Sequence, residues 1–301
     1  MSDSLDIWLA NTALFRKVVH ALSGESPPER LPDQVVLANG LTLNWVENPD
    51  ELPDPESKGV STAFLAACYD DLKEAAARSL RTVWFNPQGK LAPAALPIQD
   101  VDLLNLEGLS EIRPALLQKP SLAQCLDWWD AWEVPDNIRA HSRTVARSAY
   151  ILAVLMRNQA IHIDPILTQR GGLLHDIDKI ETLEQSSAHG RVGADFLTEQ
   201  GYPAMAEIVE EHIMSTILHP HADDRRWEVK LVYFCDKLVE GDELVTFGER
   251  LNALFERYPH YREAMGRAAI PVHRMSDEIC SVLKIPSHKL LIARLRKLMG
   301  T

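Results

Sequence analysis

Cysteine is scarce in this chain and unpatterned. Cys68, Cys125, Cys235 and Cys280 are the only four in 301 residues, and no two form a CxxC pair. That excludes a disulfide scaffold and a zinc-ribbon framework. Positive charge is absent from the start: Met1 to Phe15 contains neither Lys nor Arg, so there is no basic n-region of a secretion signal. Long apolar runs are missing as well. The longest clean one, Ala149 to Met156, falls far short of the roughly 20 residues that span a bilayer. Cations are outnumbered throughout, with 31 Lys and Arg against 43 Asp and Glu, a formal net charge of -12 and a pI near 5.4. Such a surface repels phosphate backbones and anionic lipid. The expectation is a cytoplasmic protein that binds neither nucleic acid nor membrane. A small phosphorylated substrate stays open, because a bound metal would set the local charge.

What is present suits two domains, with 46% hydrophobic and 25% charged residues, enough to bury a core. Gln34 to Ala38 and Leu41 to Val46 are β-favouring runs joined by Asn39-Gly40, a hairpin signal. An acidic, proline-rich stretch from Asn48 to Ser57 reads as loop. A helical pattern follows from Thr62 to Arg78, then a β run from Arg81 to Phe85 ended by Asn86-Pro87, and a weak segment around Leu103 to Leu109. This is a small α/β domain, residues 1–117. From Ser121 onward no strand is evident. Apolar residues recur at helical spacing, punctuated by Pro135, Pro165, Pro203, Pro220, Pro271 and Pro286. Residues 118–301 therefore read as an all-α helical bundle, which makes the protein mainly α. Asp164-Pro165 looks like an N-cap with proline at the first helical position, and Gly201 like a C-terminal cap.

Six polar residues lie where apolar ones belong. A helix from Asp136 to Asn158 carries the stripe Ile138, Val145, Ala149, Leu152 and Met156, and His141 sits on it. Leu173-Leu174-His175-Asp176-Ile177 places a His-Asp pair inside an apolar run. His189, after Ser186-Ser187-Ala188, opens a helix that continues through Val192, Phe196 and Leu197. His212 shares a stripe with Met205, Ile208, Val209 and Ile213. Asp236 shares a face with Val229, Val232 and Val239 in a helix from Trp227 to Glu240. A single such histidine is ordinarily a satisfied core or surface residue. Two buried carboxylates and four imidazoles together form a costly core unless a cation ties them. Divalent metal supplies that cation: neutral imidazole and ionised carboxylate are its natural ligands, and Asp176 could bridge two ions. Manganese, iron, cobalt, nickel and zinc all suit the set.

These residues resemble the HD superfamily of metal-dependent phosphohydrolases. The H…HD…D signature falls on His141, His175-Asp176 and Asp236. Leu173 to Lys179 resembles the "LLHDIGK" core, with Asp178 in place of glycine, and Phe234 to Val239 resembles "yADKLV". His189 and His212 fall where dinuclear members place two extra histidines. The resemblance implies two metal ions, a small phosphorylated substrate such as a nucleotide or dinucleoside polyphosphate, and attack by metal-activated water. Asp176 and Lys179 are the catalytic candidates, Lys179 as a phosphate partner. Asp178 reads as a carboxylate that either orients a ligand histidine or, the favoured reading, faces water, and His219 and His221 read as an exposed loop. Two rival readings stand beside this one: an HD-type diiron oxygenase using the same ligand set, and a non-catalytic metal-binding regulatory module. In the N-terminal domain, Cys68 to Ala76 and Leu80 to Asn86 resemble the final part of a haloacid-dehalogenase-like domain. Asp6-Ile7-Trp8 breaks that family's DxD nucleophile motif and no strand is read before it, which implies a degenerate relative. The basic last helix, His288 to Met299, reads as a solvated or dimer-forming face, leaving a homodimer open.

Overall fold

The computed structural model describes residues 5–24, 29–37, 40–47, 51–52, 61–111, 119–182 and 188–300. Contacts divide the chain into two units, Met1–Ala123 and Gln124–Thr301.

Among the described residues the first unit is a mixed sheet with two α-helices. Its elements in order are β1 (Leu5–Leu9), α1 (Thr12–Ser23), β2 (Gln34–Val36), β3 (Leu41–Trp45), β4 (Ser61–Ala66), α2 (Tyr69–Ala77), β5 (Arg81–Phe85) and β6 (Val101–Leu103). The strands lie in the order β2-β3-β1-β4-β5-β6. All pair in parallel except β2 with β3, the hairpin foreseen at Asn39-Gly40; Asn39 itself and the segment 48–50 and 53–60 lie outside the described residues. Among the parallel strands the order is second, first, third, fourth, fifth, a doubly wound arrangement that puts ligand crevices beyond the strands' carboxyl ends.

Two expectations are corrected here. The pattern from Thr62 to Arg78 is not one helix but β4 followed by α2. Ala63, Phe64, Leu65 and Ala66 are all fully buried, and a short apolar run buried on both faces has no periodicity to distinguish strand from helix. A strand does contain Asp6: β1 is the central strand, with Leu5, Ile7 and Leu9 buried on alternate positions.

The second unit is helical: α3 (Leu122–Ala131), α4 (Asp136–Arg157), α5 (Pro165–Leu174), α6 (Arg191–Glu199), α7 (Pro203–Glu210), α8 (Trp227–Asp236), α9 (Phe247–Arg257), α10 (Arg262–Val282) and α11 (His288–Met299). Asp164 accepts from the Ile166 and Leu167 amides to cap α5, as its Asp-Pro start implies. The expectation of no strand fails in one place. After α8 the chain makes a two-residue ladder, β7 (Val239–Glu240) with β8 (Glu243–Leu244), turning at Gly241 with φ of 60°. Pro271 also does not punctuate: α10 runs through it. An internal proline costs about 3 kcal/mol, and α10 offsets it by burying Ala268, Val272, Met275 and Ile279.

The heart of this unit is the packing of α4 on α5, with α8 against both. Gly172 makes the close approach feasible. A Cβ there would lie 2.6 Å from Ala146 Cα, a backbone atom that cannot swing aside. Gly172→Ala is therefore expected to destabilise the fold by about 2 kcal/mol, read from chemical denaturation. Unchanged stability would mean that the two helices separate freely.

Candidate metal centre

The six residues arrive from different elements, mostly at helix ends, where side chains can turn inward without breaking the hydrogen-bond ladder. His141 lies in the second turn of α4. His175 follows the last residue of α5, with Asp176 next to it. His189 precedes α6, whose N-cap is Gly190, so it sits just outside the helix it was expected to open; Ser186 and Ser187 lie outside the described residues. His212 lies two residues past α7, not on its stripe, and Asp236 ends α8, which stops short of the expected Glu240.

Their donor atoms gather into two groups. One comprises His141, His175 and Asp236, the other Asp176, His189 and His212, and within each the ligand atoms lie within 4.8 Å of one another. In the first, His141 Nε2 is 3.0 Å and His175 Nε2 3.7 Å from Asp236 Oδ1. In the second, Asp176 Oδ1 is 3.1 Å from His189 Nε2 and 3.5 Å from His212 Nε2. The other oxygen of Asp176, Oδ2, is 3.6 Å from His175 Nε2. One carboxylate thus addresses both groups, one oxygen to each.

The imidazole tautomers follow from what the far nitrogens meet. Nδ1 of His141, His175 and His212 lies against the carbonyl oxygens of Gly241, Gly172 and Val209, at 2.9, 2.9 and 2.5 Å. A carbonyl only accepts, so each Nδ1 donates and each Nε2 is turned inward, where its lone pair can serve a cation. His189 Nδ1 donates instead to Asp178 Oδ1 at 2.7 Å, whose Oδ2 accepts from the Gly193 amide at 2.8 Å. Asp178 is fully buried, so the favoured reading, that it faces water, is wrong, and the contact to His189 fits the other reading, a carboxylate that orients a histidine. The sequence showed a carboxylate where the family has glycine, and nothing in its spacing revealed that His189 folds back onto it.

This geometry suits cations. His175 Nε2 is buried and has no hydrogen-bond partner among the described residues, and His189 Nε2 faces His212 Nε2 at 3.3 Å. Two inward lone pairs beside a carboxylate oxygen repel unless a proton or metal sits among them. Without metal, a proton does so. Burial opposes charge on His189, but hydrogen bonds to Asp176 and Asp178 outweigh it and raise its pKa to about 9. His212, fully buried, is pushed down to about 4. Burial would raise the Asp176 pKa, but the charges of His175 and Lys179 hold it well below the usual carboxylate range.

Cations line the rest. Lys179 Nζ is 2.5 Å from Asp176 Oδ2, where a phosphate-binding lysine was expected. Lys237, not singled out from sequence, places its Nζ 2.5 Å from Asp236 Oδ2 and 2.8 Å from the His212 carbonyl. Burial draws its pKa down despite Asp236. Both lysines, with Arg250, border a cavity of about 350 Å³ that opens beside Asp176, His189, His212 and Asp236. His219 and His221 are exposed and border a different cavity.

Metal-bound histidines commonly donate their outer nitrogen to a carboxylate, and losing that partner costs roughly 10- to 100-fold in metal affinity or activity. Asp178→Asn is expected to weaken binding at the second group by that factor while leaving the first intact. Competitive titration with a chromogenic chelator measures it; equal affinity for both proteins would remove Asp178 from the centre.

Comparison with known proteins places a family match in the helical unit. Residues 138–240 match the HD domain family, and the chain carries an HD domain there. An uncharacterized protein of Methanocaldococcus jannaschii is 29% identical over 160 residues, 50% of this chain and 91% of that protein. A Ribonuclease Y of Acidothermus cellulolyticus is 28% identical over 127 residues, 40% of this chain but only 24% of the ribonuclease. No solved structure matches. The HD match does not reach the first unit.

Proposed function

We propose that this protein is a dinuclear metal-dependent phosphohydrolase acting on a small phosphorylated molecule. The observation that carries the reading is the division of six inward donors into two groups spanned by the two oxygens of Asp176. His141, His175 and Asp236 would hold one metal, and His189, His212 and Asp236's counterpart Asp176 the other. Bound there, the metals would supply Lewis acidity toward a phosphoryl oxygen and a water acidified toward neutral pH.

The chain's own residues prepare the rest. The Nδ1 contacts of the four histidines fix their ring orientation before any ligand binds. Lys179 neutralises Asp176 until an anion arrives and then presents its ammonium to a phosphate oxygen. Lys237 pins Asp236 against the His212 carbonyl and so holds the two groups in register. Apolar α4, α5 and α8 exclude bulk water behind the donors, which strengthens each charge contact. The cationic lining favours a phosphate ester over an uncharged substrate.

The first unit supports no second activity in this reading. Beyond the carboxyl end of its central strand stand Ala10 and Asn11, and the Asn11 side chain is used to cap α1. Asp6 lies mid-strand, and Asp70 is paired with Lys73 at the surface. That placement fits a degenerate haloacid-dehalogenase-like domain without its nucleophile.

The test is phosphate release from a panel of phosphomonoesters and nucleotides by protein reconstituted separately with manganese, iron, cobalt, nickel and zinc. Turnover lost in His175→Ala is expected. Substrate-dependent oxygen uptake without phosphate release would establish the oxygenase reading instead, and ligand binding without either would leave a regulatory module.

A further inference from the structure

The substrate cavity is completed by residues beyond the matched HD domain. α9 begins eight residues after β7 opens the ladder, with Thr246 as N-cap and Glu249 closing a capping box. That cap sets the helix rotation so that Arg250 and Leu254, four residues apart, share one face. Both border the cavity, and so do Tyr258, Tyr261 and Met265 from the turn into α10.

Arg250 is only 9% exposed. Its NH1 donates to Glu240 Oε2 at 2.5 Å, and Arg257 donates to the same oxygen at 2.7 Å, which fixes the guanidinium in place. Its Nε is buried and has no hydrogen-bond partner among the described residues. A buried donor left unpaired is costly, and here it belongs to a fixed cation bordering the cavity beside Lys179. Arg250 also borders a second cavity on the His141 side, which shares Asp176 and Lys179. It therefore stands where the two openings to the donors meet. In the lining of the same cavity, Tyr258 and Tyr261 are 45% and 52% exposed. Large aromatic side chains exposed on the rim of a polar cavity can cover the flat face of a ligand.

We propose that Arg250 is a substrate-positioning residue that binds the phosphate, and that Tyr258 and Tyr261 select substrates whose organic part is a flat aromatic or heteroaromatic ring. This rests on the phosphohydrolase reading for its site, and it adds the substrate class and the residues that choose it. Arginine suits the role because its planar fork matches phosphate oxygens and stays charged.

The test is calorimetric titration of manganese-loaded protein with phenylphosphonate and methylphosphonate, which cannot be hydrolysed at phosphorus, alongside phosphate release from phenyl phosphate and methyl phosphate. Wild type is expected to bind phenylphosphonate roughly fivefold more tightly than methylphosphonate. The Tyr258→Ala/Tyr261→Ala double variant is expected to lose that preference while binding methylphosphonate as before. Arg250→Gln is expected to weaken both ligands about tenfold or more, and Arg250→Lys to recover part of the loss. Arg250→Lys also serves where the glutamine variant melts early or loses metal. No ring preference in wild type, no binding of either ligand, or unchanged affinity in Arg250→Gln and Arg250→Lys would overturn the proposal. Ring-selective binding without phosphate release would leave it standing and refute the hydrolase reading. Phosphate release indifferent to the ring would do the reverse.

Discussion

Asp176→Asn is expected to abolish turnover, by about 10³-fold or more, the scale of removing a preorganised electrostatic contact, and to strip metal from both groups of donors. Asparagine keeps the volume and one acceptor oxygen, so the packing around position 176 survives. What disappears is the negative charge that faces His175 and Lys179 through one oxygen and His189 and His212 through the other. Asp236→Asn is the informative control. Asp236 belongs to one group only, so that variant is expected to retain metal in the second. If both variants lose the same single metal, the bridging role of Asp176 is wrong.

Metal affinity is expected to rise with pH from 6 to 9 by about tenfold per unit, then level off. The sign follows from His189. Its pKa in the metal-free protein lies near 9, so across this range metal must displace one proton from the second group. His212, lowered to about 4, is already neutral and adds no competing proton. Metal-free stability should run the opposite way. The folded pKa of His189 lies above its ordinary 6.5, so its contribution is complete below 6.5 and is lost as pH rises through 9. Melting temperature in chelator should fall over that window, and saturating metal should remove the decline. A pH-independent affinity would mean that the proton is not where the metal binds.

The centre was more legible in the sequence than the fold that carries it. Each of the six donors interrupts an apolar stretch, and a buried charge without a partner is conspicuous in one dimension. Their supports were hidden, because they depend on chain reversals. The carbonyl that fixes His141 belongs to Gly241, a hundred residues away in a ladder of two-residue strands too short to leave an alternating pattern. Asp178 reads more readily as solvated because its partners lie eleven and fifteen residues on, His189 just before α6 and the Gly193 amide in its first turn. Arg250 occupies an ordinary amphipathic helix, and only the cavity makes it unusual. In the first unit the sequence hides β1 and gives β4 a helical look, since buried parallel strands present continuous apolar runs.

Metal content per chain measures the central claim most directly: elemental mass spectrometry on protein purified without chelator, for wild type and for His189→Ala/His212→Ala. Two metals in wild type and about one in the double variant are expected from two groups of donors, one of which keeps His141, His175 and Asp236. One metal in both proteins would contradict the dinuclear centre and return His189 and His212 to packing or substrate contact. No metal in either, even after reconstitution, would contradict the metal site itself.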